Sequence, residues 1–131
     1  MYDSQLAIKI IEQHFPHLSD SLHEDSLDDL IHCQMGIFAR WAQEVIDAQD
    51  TVNWQRISEV FLQLWDNCTE NVKNALNVSL LEHLYFADTK RKRSWIRRAW
   101  AFDAMHPRMR QAWKEMERYN RELHARRLQK K

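Results

Sequence analysis

Apolar residues recur at three- and four-residue steps along most of the chain, the spacing that gathers them on one face of an α-helix. Leu6, Ile8, Ile10, Ile11 and Phe15 predict a first helix over about Ser4 to His14, ended by Pro16, whose ring cannot continue one. The polar, acidic stretch from His17 to Asp25 reads as a connection. Ser26, with Asp29 three residues on, forms an acidic relative of the capping box and starts a long helix near Leu27. Leu27, Leu30, Ile31, Gln34, Ile37, Phe38, Trp41, Ala42 and Val45 carry its stripe through Ala48, and the mid-helix Gly36 predicts close packing against a neighbour.

Asp50 or Thr51 caps the next helix, whose Val52, Ile57, Val60, Phe61, Leu64, Trp65 and Cys68 form a wide apolar face with Trp54 near its edge. This is the expected central core element. Asn67, Asn71, Asn74 and Asn77 then recur through a segment whose Val72, Ala75, Leu76, Val78, Leu80, Leu81, Leu84 and Phe86 fit one interrupted helix or two short ones. Ser79 and Glu82 offer a restart by capping box. A helix from about Ser94 to Met105 follows, and Pro107 separates it from a last helix reaching the mid-120s, with residues 124–131 expected to fray. Short connections between five to seven helices predict antiparallel neighbours. The fold class is therefore all-α, a single-domain bundle or short stack over residues 1–131.

Composition narrows the chemistry. One Gly and two Pro in 131 residues leave little for hairpins or glycine-rich phosphate loops. Cys33 and Cys68 sit in apolar helical surroundings and are expected as buried free thiols. No 18-residue apolar run and no basic-then-apolar leader pattern occur, so a cytoplasmic protein with no membrane partner is expected. The histidines suggest no metal site: Pro16 keeps His14 and His17 off one helical face, and neither Cys-x-x-Cys nor His-Glu-x-x-His is present. Asp28 and Asp29 are adjacent and point to different sides of a helix. No catalytic residue, metal or cofactor is assigned, and no enzyme is expected.

Charge is the least even property of the chain. Residues 1–88 carry 15 acids and 4 bases, residues 89–131 carry 15 bases and 4 acids, and the formal net charge of +0 hides that split. Asp20, Glu24, Asp25, Asp28 and Asp29 form an acidic cluster that exceeds what a helix N-terminus requires, and it is the candidate landing site for a basic protein. Arg91, Lys92, Arg93, Arg97 and Arg98 lie among Trp95, Trp100 and Phe102, a mixture suited to phosphates or bases. Trp95, Ile96, Ala99, Trp100, Phe102 and Met105 fill more than one face of their helix, which favours a core role for the aromatics. On the last helix Met109, Ala112, Trp113, Met116, Tyr119 and Leu123 share one side. Glu117 precedes Arg121 by four and Glu122 precedes Arg126 by four, pairs worth about 0.2–0.5 kcal/mol each. Acids of the earlier helices are expected to consume part of the remaining basic excess.

The stretch Asn74-Ala-Leu-Asn-Val-Ser-Leu-Leu-Glu-His-Leu-Tyr-Phe86, after an amphipathic helix ending near Cys68, resembles a signature of small all-helical bacterial domains. Some of these are similar to immunity proteins encoded beside contact-dependent growth-inhibition toxins. The resemblance spans about residues 50–115; the acidic cluster and the Lys90 to Arg93 run form no part of its pattern. It implies a cytoplasmic, non-enzymatic protein that binds one toxin domain, often a nuclease, and blocks its active site. The acidic cluster would then steer the toxin. A nucleic-acid-binding module using the basic third is the alternative, and a weak homodimer is a further expectation.

Overall fold

Asp3 starts the first helix, α1 (Ser4–His14), by accepting a hydrogen bond on Oδ1 from the Leu6 amide at 2.9 Å. The helix buries Ala7, Ile8, Ile10 and Ile11 and stops at Phe15, because Pro16 opens a 3-10 turn, Pro16–Leu18. The turn runs into the short α2 (Ser19–Leu22), so the expected polar connection is partly helical. Leu18 and Leu22, four apart, are both buried and hold it down.

The computed structural model describes residues 1–24, 27, 30–86 and 92–129, with the backbone alone at 92–97. The proposed cap pair Ser26 and Asp29 lies outside the described residues. The long α3 spans Ile31–Asp47 with Leu30 as its N-cap, so it begins later than Leu27, whose own amide bonds Glu24 O at 3.0 Å in a turn. Gln49 takes a left-handed conformation (φ 56°) and the Asp50 amide reaches back to Val45 O at 3.0 Å, closing α3 with a tight reversal. Asp50 then caps α4 (Thr51–Asn67) through the Asn53 amide at 3.1 Å. From α4, Arg56 donates to His14 O at 2.5 Å and lies 5.2 Å over the Phe15 ring, which docks the end of α1 onto α4.

Thr69, rather than Ser79, supplies the next cap, for α5 (Glu70–Ala75). The chain continues without a break into a π turn (Leu76–Leu80) and a 3-10 turn (Leu81–His83). The π turn widens the helix by one residue, which brings Leu81 into line with Leu76 where an α-helix would align Leu80. Leu76, Leu80 and Leu81 are thereby all buried, and this segment packs chiefly on α3. Ser79 is held inside by His32 Nδ1 at 2.8 Å.

The helices α6 (Lys92–Ala104) and α7 (Pro107–Gln129) close the all-α fold, α7 running past the mid-120s. Among the described residues there is no strand, only one bridge in which Tyr2 pairs with the chain beside Cys68. Phe86 joins the last helices to the rest. Its ring meets Trp54 at 6.0 Å, Phe102 at 5.6 Å and Trp113 at 5.3 Å, mostly edge to face. Trp54 is not at the edge of its helix face but fully buried, its indole N–H donating to Ala101 O at 2.8 Å. Trp100 and Phe102 pack half-buried against the core, in line with the core reading of these aromatics, while the side chains of Trp95 and Ile96 lie outside the described residues.

Candidate functional site

On α3, exposed Cys33 and Arg40 and half-buried Gly36 and Ile37 form an outer stripe, at the i, i+3, i+4, i+7 spacing of one helical face. They floor a groove of 670 Å³ whose sides are Glu24 and Leu27 on one flank and Gln43 and His83 on another. Among the described residues Gly36 does not serve close packing: a Cβ placed there would meet none of their atoms within 4 Å. A glycine in a helix interior costs about 0.5–1 kcal/mol relative to alanine, and no internal contact requires it here. Cys33 is likewise exposed rather than buried, because it lies on this outer stripe. Gln43 fixes one side by accepting from the Tyr85 amide at 2.8 Å and donating to Tyr85 O at 3.1 Å. Beside the groove, Leu30 and Tyr85 are about half exposed.

Of the five acids in the candidate landing site, Asp20 on α2 and Glu24 just after it are exposed, and Glu24 lines the groove. Asp25, Asp28 and Asp29 lie outside the described residues. His23 pairs with Glu12 of α1, and buried Gln34 donates to Leu22 O at 3.0 Å, so the chain is anchored just before the acidic run. At the other end of the stripe, Glu44 is exposed one turn past Arg40.

The basic third is partly closed against the acidic helices. Arg98, a candidate phosphate ligand, donates from Nε to Asp47 Oδ1 of α3 at 2.8 Å and so acts as an internal ion-pair partner. Arg108 of α7 grips Asp66 of α4 with both terminal nitrogens; the guanidinium holds the Asp66 carboxyl below the usual carboxylate range and the Arg108 pKa is raised in return. Arg91 lies outside the described residues, as do the side chains of Lys92, Arg93 and Arg97. Other cations do meet an aromatic surface. Lys114, Arg118 and Arg121 line a 460 Å³ groove with Phe102, although Arg121 also approaches Glu117 to 3.9 Å.

No group of three or more His, Cys, Asp or Glu suited to a metal ion occurs among the described residues. Cys68 is half-buried rather than buried, and that partial desolvation raises its pKa, which lowers its thiolate fraction. No helix of the described residues is long and apolar enough to cross a membrane.

A third groove, of 510 Å³, lies between the π turn and α7 and includes Trp65, Asn74, Asn77, Glu82, Tyr119 and Asn120. Sequence reasoning marked the recurring asparagines and the restart near Ser79, but not that Tyr119 and Asn120 face them. The signal it could have used is the run of buried leucines at 76, 80 and 81, which no single 3.6-residue stripe accommodates. The π turn separates this groove from the one on α3, touching the latter through the His32–Ser79 bond next to Cys33.

No curated protein and no solved structure matches the chain. The family model of DUF7674, a domain of unknown function, matches residues 8–121, a span that takes in every groove-lining position from Ile8 to Arg121 and most of the fold. The chain belongs to the DUF7674 family.

Proposed function

We propose that this chain is a protein-binding domain that neutralises a cognate bacterial toxin, a basic nuclease domain, by covering its active site. The observation that carries this reading is the α3 groove with Gly36 on its floor and no internal partner for the missing Cβ. A glycine there lets a foreign side chain or backbone approach the helix closely. Ile37 and Leu27 give the groove an apolar centre, half-exposed Leu30 and Tyr85 extend it alongside, and charged groups lie around it, the anatomy of a protein interface. Glu24 and Glu44 put carboxylates at the two ends of the stripe and Asp20 adds an exposed one on α2, which favours a basic partner and speeds its association. The resemblance of Asn74 to Phe86 to immunity proteins supports the toxin, its nuclease chemistry and a bacterial cytoplasmic setting.

The test is co-expression with a basic nuclease domain encoded beside this gene. The wild-type chain restores growth, and Gly36→Trp, which fills the groove from an open position, abolishes the rescue while circular dichroism and thermal midpoint are retained. Failure of the wild-type chain to bind or rescue removes the toxin reading; rescue by Gly36→Trp moves the interface elsewhere. Lys114, Arg118 and Arg121 beside Phe102 are the observation favouring the second reading, phosphate contact by a nucleic-acid-binding module. An electrophoretic shift with random DNA and RNA that weakens steeply with salt would select it.

A further inference from the structure

The groove between the π turn and α7 plays no part in the reading above, and its chemistry selects a different kind of ligand contact. Glu82 accepts on Oε1 from Asn120 Nδ2 at 2.6 Å, and Glu115 accepts on Oε1 from Gln111 Nε2 at 3.1 Å. Each carboxylate is thus oriented by an amide that leaves its second oxygen available. Lys73, the one cation lining the groove among the described residues, sits with Nζ 4.8 Å over the Trp65 ring, directed to the indole rather than to either carboxylate. Glu82, together with Glu115, which is shared with the basic groove beside Phe102, against one engaged amine makes the groove a site for a cation and a poor one for a phosphate.

The remaining groups specify what carries that cation. Asn74 and Asn77 line the groove, and their carboxamides have no hydrogen-bond partner among the described residues. Each offers a donor and an acceptor, the pair that an extended peptide backbone matches with its own C=O and N–H. Met116 is half-buried, while Val78 and Tyr119 remain 42% and 64% exposed, a surface on which the methylene stem of a long side chain can lie. The π turn sets this arrangement: it carries Asn77 and Val78 into the groove while His32 holds Ser79 from the opposite side. We infer that this groove binds an extended peptide segment of a partner protein through one arginine or lysine side chain. The inference does not depend on the α3 groove.

The full chain, labelled with 15N, is titrated with three probes: acetyl-Ala-Ala-Arg-Ala-Ala-amide, its glutamine counterpart and adenosine monophosphate. The arginine peptide is expected to shift the side-chain amide signals of Asn74 and Asn77 and the indole signal of Trp65 saturably, with the glutamine peptide about threefold weaker or more. The double variant Glu82→Gln, Glu115→Gln keeps acceptors for Asn120 and Gln111 and is expected to erase that preference, whereas Gly36→Trp retains it. Equal response to both peptides, a stronger response to the nucleotide, unmoved groove signals, or a preference that survives in the double variant would each overturn the inference.

Discussion

Helix α4 sinks Trp54, Ile57, Val60, Phe61 and Leu64 completely, whereas α7, with an apolar stripe of the same spacing, buries Met109 and Ala112, half-buries Trp113 and Met116, and leaves Tyr119 mostly exposed. The stripe in each case says which side turns inward. What covers that side is a property of the neighbours: α4 is met by α1, α3, α6 and α7, while α7 rests on α4, the 3-10 turn Leu81–His83, Phe86 and Phe102 of α6 and then runs on to Gln129. A stripe that outlasts its cover becomes surface, and in α7 that surface forms one wall of the groove at the π turn. An apolar periodicity is thus a statement about direction before it is one about burial.

The contrast breaks most visibly at Trp54. Trp54→Ala should destabilise by about 3–5 kcal/mol, since it empties the space against Phe86 and strips Ala101 O of its donor. Urea unfolding of the variant measures this. A loss below about 2 kcal/mol would place α4 in the same class as α7. Gly36→Ala comes next and has the opposite sign. With open space around the new Cβ, the variant should gain about 0.5–1 kcal/mol in the same assay, and any loss would mean that the groove floor is packed after all.

The elements that local chemistry governs were legible in the sequence. The end of α1 follows from Pro16, the cap of α4 from the Asp50–Thr51 pair and the start of α7 from Pro107, and each of these depends on residues within one turn. The depth of Trp54 depends on Phe86 and Ala101, far along the chain, and no local pattern contains it. The openness at Gly36 is hidden for the same reason, because glycine is equally suited to tight contact and to empty space. A one-residue register change such as the π turn is invisible to a fixed 3.6-residue period, and it is what brings the asparagines and α7 together. Of the candidate site, charge counting reached Glu24 at the α3 groove and anticipated that acids of the earlier helices would take up part of the basic excess, but not that Arg98, a candidate phosphate ligand, is one of the cations so held, by Asp47.

The ion pair that fastens α7 to α4 gives a smaller effect, with a defined pH window. Asp66 has its folded-state pKa lowered by Arg108, so the carboxylate form is favoured by folding. Its contribution is complete above the ordinary carboxylate pKa, declines as pH falls through that value, and is gone below the depressed folded value. Asp66→Asn should therefore lower the thermal midpoint near neutral pH, and the difference from wild type should vanish in acid. A difference that persists at the lowest pH would assign the effect to packing.

Tyr119 should give the smallest change of all, and for that reason it tests the comparison most directly. It occupies the same stripe as Met109 and Ala112 but lies beyond the cover of α4. If burial and not stripe membership determines stability, Tyr119→Ala moves the unfolding free energy by no more than about 0.5 kcal/mol, the range of a surface substitution. The same change removes an aromatic wall from the groove at the π turn, so the arginine-peptide titration should weaken where the unfolding curve does not move. A residue that costs binding and not stability marks the point along α7 at which the helix stops serving the core.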